Sequence, residues 1–158
     1  MNILEDIQKV TGNGMLLAEV VEQCHGVCAV ALLNCGWALQ YVVNKTDDLC
    51  KLAVTNNGLS LQFVTVQTEE ICTLAIIQNS HALQYVSDQT EMICIIALSR
   101  EGLSLQHIHT QTEALCLIAV NMDGLALQYV IDKTQAVIDA AIAQNPEAIM
   151  YVESNIIN

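Results

Sequence analysis

Shifted by 22 places, the sequence falls back onto itself. Five cysteines come into line (Cys28, Cys50, Cys72, Cys94, Cys116), and so do Ala31, Ala53, Ala75, Ala97, Ala119 and Ala141. The leucines Leu17, Leu39, Leu61, Leu83, Leu105 and Leu127, followed by Ile149, keep the same step, as does a glutamine column of Gln40, Gln62, Gln84, Gln106 and Gln128. An aromatic column of Tyr41, Phe63, Tyr85, His107, Tyr129 and Tyr151 runs beside them, and Thr46, Thr68, Thr90, Thr112 and Thr134 close the units. A fixed period of this length means that each unit is one supersecondary element, unable to bury its apolar face alone, so neighbours must stack. Five regular repeats cover residues 25–134; a degenerate N-terminal cap takes 1–24 and a C-terminal cap repeat takes 135–158, which makes a single repeat domain over 1–158.

Each unit reads as two short helices. Thr46-Asp47-Asp48 and Thr68-Glu69-Glu70 are N-caps followed by first-turn carboxylates that complement the helix dipole. Leu49, Cys50, Leu52, Ala53 and Val54 then give an apolar face over about ten residues. Gly58, matched by Gly14, Gly36, Gly102 and Gly124, is expected to end this helix as its C-cap. The second half, Leu59-Ser60-Leu61-Gln62-Phe63, also alternates like a strand. Asn145-Pro146-Glu147, with the signature of a helix start, and Ser80, a capping residue at the glycine position, favour a helix. The expectation is an all-α protein, a right-handed α-solenoid of about seven two-helix repeats, with a leucine-rich-repeat-like α/β horseshoe as the alternative.

The string Cys50-x-Leu52-Ala53-Val54-x-x-Asn57-Gly58-x-x-Leu61-Gln62-Phe63-Val64, with its copies, resembles a family of uncharacterised short helical repeats with an A-V-x-x-N-G-x-A-L-x-Y core. That family occurs in large DNA viruses, their relatives and some bacteria. The resemblance spans nearly the whole chain; it implies a helical-repeat architecture, no catalytic residue, and a viral or phage origin. The chain departs from the pattern in carrying Cys at a usually aliphatic position and in having fewer lysines.

Composition narrows the functional classes. Apolar residues make up 53% of the chain and charged ones 14%, yet no apolar run approaches the roughly 20 residues that span a bilayer. The start, Met-Asn-Ile-Leu-Glu-Asp, lacks the basic and apolar regions of a secretory signal, so a cytoplasmic setting is expected. Seventeen acids against five basic residues give a net charge of −12, which argues against direct nucleic-acid or anionic-membrane binding and for neutral or basic partners.

No site chemistry stands out. Equivalent residues of stacked helices lie about 8–10 Å apart, too far for the roughly 4.4–6.8 Å of a disulfide or for shared zinc ligation, so the cysteine column reads as buried packing. Cys24, His25 and Cys28 lack an evident fourth ligand, Cys35 stands apart, and His107 and His109 should point to different sides. No nucleophile–base pair or phosphate loop occurs, so no catalytic residue, metal or cofactor is expected. The glutamine column reads as buried amides that satisfy main-chain groups between repeats.

Two surface features remain. Asp47, Asp48, Glu69, Glu70, Glu91 and Glu113 should line one acidic edge. Where the third and fourth units carry Asp48 and Lys51, then Glu70 and Thr73, the next two carry Met92 and Ile95, then Ala114 and Leu117. Residues three apart share a helix face, so these four should form an apolar interface patch, suited to a homodimer or to a partner's helix. A non-enzymatic protein-interaction scaffold is the favoured function. An acidic decoy, mimicking DNA and blocking a basic nucleic-acid site on a host protein, is the alternative.

Overall fold

The computed structural model describes residues 3–152. Seven α-helices of ten residues follow at the repeat period: α1 (Ile3–Gly12), α2 (His25–Asn34), α3 (Asp47–Asn56), α4 (Glu69–Gln78), α5 (Glu91–Arg100), α6 (Glu113–Met122) and α7 (Gln135–Gln144). Each is followed by a six-residue 3-10 helix, as in Gly58–Phe63 after α3 and Pro146–Tyr151 after α7. Among the described residues there is no strand. The fold is all-α, and the horseshoe alternative falls away.

Two compact units divide the chain, Met1–Ser87 and Asp88–Asn158. In the first, α1 to α4 pack in order and the 3-10 helices stack beside them; each α-helix also rests on the 3-10 helix of the repeat before it. The second builds α5, α6 and α7 in the same way. Each unit is therefore a short solenoid of equivalent layers.

The threonines start the helices as expected. Thr46, Thr68, Thr90, Thr112 and Thr134 each accept a hydrogen bond at Oγ1 from the backbone N–H three residues on, at 3.3–3.5 Å. Leu49, Cys50, Ala53 and Val54 are then buried, and the same four positions are buried in α2, α4, α5 and α6.

The glycines act differently from the C-cap role that the spacing suggests. The C-cap is the residue before, for example Asn57, which is extended at φ −147° and ψ 109°. No described residue has a positive φ. Gly58 is instead the first residue of the 3-10 helix, and a Cβ there would lie 2.3 Å from the carbonyl oxygen of Ala75 in the next repeat. Gly14 meets Ala31, Gly36 meets Ala53, Gly102 meets Ala119 and Gly124 meets Ala141 at 2.3–2.5 Å in the same sense. The alanine and glycine columns are thus two sides of one contact, where the backbones of neighbouring repeats approach too closely for a side chain. Ser80 is likewise not a cap: it stands at the first position of its 3-10 helix, behind Asn79, whose side chain accepts from His81 N–H.

A three-residue turn explains the second half of the repeat. Residues i and i+3 eclipse in a 3-10 helix, so Gly58, Leu61 and Val64 share one buried side; Ser60 is buried beside them, Leu59 is half-buried and Gln62 faces solvent. The six leucines of the column are fully buried. Ile149, their seventh member, is 64% exposed, in the last described 3-10 helix.

Candidate functional site

Two sets of side-chain amides join neighbouring layers. Asn56, Gln78 and Gln144 end their α-helices and accept from the N–H of Gly36, Gly58 and Gly124 in the preceding repeat, at 2.7, 2.5 and 2.5 Å. Their amide nitrogens donate back to the carbonyls of Leu33, Asn56 and Met122. The second set is Gln23, Gln67, Gln89 and Gln111, just ahead of the α-helices. Gln67 donates to Tyr85 O at 2.7 Å and accepts from Ser87 N–H at 2.9 Å; the others repeat this with residues 41 and 43, 107 and 109, and 129 and 131.

The glutamine column chosen from the sequence is a different one and is not buried. Gln40, Gln62, Gln84, Gln106 and Gln128 are exposed. Each donates to the carbonyl three residues earlier, at 3.0–3.2 Å, within its own 3-10 helix. From the solvent-facing side of the turn these amides bond back within their own helix.

The cysteine column is packing, as its spacing implies. All five are buried and free, while Cys24 and Cys35 are half-buried and free. The thiols of Cys28, Cys72 and Cys116 point at Gln23, Gln67 and Gln111 Oε1, at 3.6–3.9 Å, so they back the second amide set. Burial pushes the thiols of Cys28, Cys50, Cys94 and Cys116 above their usual range, helped by neighbouring Cys24 at the first and by nearby carboxylates at the others. Among the described residues no group of three or more His, Cys, Asp or Glu is placed to hold a metal ion, the Cys24–His25–Cys28 set included. His107 is half-buried at the aromatic position, and His109 lies exposed beyond the helix. The recesses between layers are shallow: one of about 220 Å³ lies beside Cys116 and Thr134, another of about 210 Å³ beside Cys50 and Val66. Both are smaller than the roughly 300–1,000 Å³ of an ordinary ligand pocket, whereas a more open recess of about 330 Å³ beside Asp6 and Gln23 reaches the lower end of that range.

Asp47, Asp48, Glu69, Glu70, Glu91 and Glu113 are all exposed in the first turns of α3 to α6. In the first unit the row is partly neutralised from within. Lys51 Nζ lies 2.8 Å from Asp47 and 2.7 Å from Glu70, a bridge between adjacent layers that holds the ammonium in its charged form. Glu113 in the second unit accepts from Thr134 Oγ1 at 2.6 Å.

The apolar set stays outside the core. Met92 is 59% exposed, Ala114 is exposed, and Ile95 and Leu117 are half-buried on the adjacent helices α5 and α6. The polar residues that follow on this face turn inward to their own helices. Ser99 Oγ donates to Ile95 O and Asn121 Nδ2 to Leu117 O, both at 2.7 Å. Ile96 and Ile118 border the four, also half-buried.

No family model matches the chain, and neither a curated protein nor a solved structure does. Among the described residues no helix is long and apolar enough to cross a membrane.

Proposed function

We propose that this chain is a non-enzymatic protein-interaction scaffold that presents the outward face of α5 and α6 to a protein partner. One observation carries the reading: Met92, Ile95, Ala114 and Leu117 remain at the surface, at the helix positions that carry Asp48, Lys51, Glu70 and Thr73 in the first unit. Met92 and Ala114 are exposed and Ile95 and Leu117 only half-buried, so covering the set removes further apolar area from water.

The acidic decoy makes a different use of the surface. It needs an uninterrupted row of carboxylates, and the Lys51 bridge between Asp47 and Glu70 weakens that case. Salt separates the two readings, since charge-driven binding is screened and apolar binding persists. Pull-downs at low and high ionic strength with wild type, Ile95→Asp and Leu117→Glu test this. The scaffold reading expects partners that survive high salt and are lost in both variants. Partners that all vanish at high salt while both variants bind normally would overturn it.

A further inference from the structure

The charges around the exposed α5–α6 face indicate what covers it. The geometry points to an amphipathic helix with basic flanks, supplied by another protein, laid across Met92, Ile95, Ala114 and Leu117; this rests on the scaffold reading above. Exposed Glu91 and Glu113 stand at the amino-terminal ends of α5 and α6, along one border of the apolar set. On α7, which packs against α6, the position equivalent to Ile95 and Leu117 is Asp139, also exposed. The patch is therefore bordered by carboxylates on two sides. Arg100, at the far end of α5, is the one cation of the two patch helices.

This border disfavours a second copy of the chain. Residues 88–158 carry nine acids against Arg100 and Lys133 alone. A two-fold pairing through the patch would set acid borders of the same sign against each other, and like-charge juxtaposition across an interface is costly. A basic-flanked helix meets both demands. Its apolar stripe covers two side-chain pairs, each three residues apart, on helices about 8–10 Å from one another. Its Lys or Arg flanks reach Glu91 and Glu113 in the manner of helix-in-groove recognition.

The test is a displayed library of 18-residue helical peptides with a fixed leucine seam and randomised flanks. It is selected on the wild-type chain, and the winners are measured against variants. Expected are flanks enriched in Lys and Arg over the starting library, and affinity reduced at least about 30-fold by Leu117→Glu, as for an interface hot spot. That loss comes despite the added negative charge, so it separates docking from simple attraction. The Glu91→Gln, Glu113→Gln double variant should weaken binding several-fold at low salt, as rim charges do. Acidic or neutral winning flanks, or no binder at all, would overturn the basic helix. So would a wild type that sediments as a dimer alongside a monomeric Leu117→Glu, while leaving the scaffold reading standing. Winning peptides indifferent to Leu117→Glu would overturn both.

Discussion

Replacing Gly58 by alanine is the sharpest single perturbation of the stacking. The new Cβ would lie 2.3 Å from Ala75 O, with Gln78 Oε1 at 3.0 Å and Asn79 Cβ at 3.1 Å. Ordinary contact begins near 3.4 Å, so the third and fourth layers must separate by about 1 Å, a gap that forfeits a quarter to a half of the dispersion energy of the atoms lining it. Overpacking of this kind costs about 1–3 kcal/mol. Stretching the Gly58 N–H bond to Gln78 adds about 1 kcal/mol, and the lower entropy of the unfolded alanine chain returns about 0.4–1 kcal/mol. The net expectation is a loss of about 1–3.5 kcal/mol in urea unfolding followed by helical circular dichroism, equivalent to a Tm lower by roughly 2–14 °C. Gly26→Ala is the control. A Cβ there meets nothing within 4 Å, so it should be neutral or stabilise by up to about 1 kcal/mol. Gly58→Asn separates close approach from a backbone requirement, because asparagine tolerates left-handed φ but still carries a Cβ; it should be as damaging as alanine. Gly58→Ala within about 0.5 kcal/mol of wild type, or asparagine tolerated where alanine is not, would refute the argument.

Other outcomes follow from the same layers. Ser60 and Ser104 are fully buried with hydroxyls that have no hydrogen-bond partner, at a position where Ala38, Ala82 and Ala126 are also fully buried; Ser104→Ala should therefore stabilise by about 1 kcal/mol or more in urea titration. Gln67→Ala, which removes both bonds to the next layer, should cost about 1–2 kcal/mol, while Gln62→Ala, bonded only within its own turn, should stay within about 0.5 kcal/mol of wild type. The raised thiols of Cys28, Cys50, Cys94 and Cys116 mean that the unfolded chain ionises first as pH rises past the ordinary thiol value of 9.0. Stability should accordingly be level with respect to these groups below that pH and fall above it, with a shallower fall in Cys94→Ala, as read from urea midpoints across the alkaline range. Cys24 and Cys35, the half-buried pair, should react with a thiol reagent well before the other five in the native protein.

The period, the threonine caps and the buried columns were legible in the sequence because each is a one-residue signal repeated every 22 places. The glycine was visible but its reason was not. Asn57-Gly58 has the residue pair of a helix stop, and only the next layer's carbonyl, far along the chain, shows that the demand is for space. The 3-10 turn was hidden by Leu59 and Leu61, which suggest an alternation of two. The spacing that matters is the step of three from Gly58 to Leu61 to Val64. The amide ladder Gln23, Gln67, Gln89 and Gln111 also repeats in the sequence, interrupted by Lys45 and Lys133, and it lay beside a more regular glutamine column whose side chains face solvent. The outward placing of Met92 and Ala114 could be read from helix phase alone, because a break in a periodic pattern needs no long-range contact to be seen.

The central claim is that equivalent helices in neighbouring repeats lie one helix-packing distance apart. Spin labels on Leu33→Cys and Ile77→Cys, in a background where Cys24 and Cys35 are serine, measure it most directly. Both sites are exposed at equivalent positions of α2 and α4, two layers apart within the first unit. Stacked helices predict a distance centred near 16–20 Å between the labelled positions. A distance near 10 Å, the value for strands spaced about 4.8 Å apart per layer, would contradict the account.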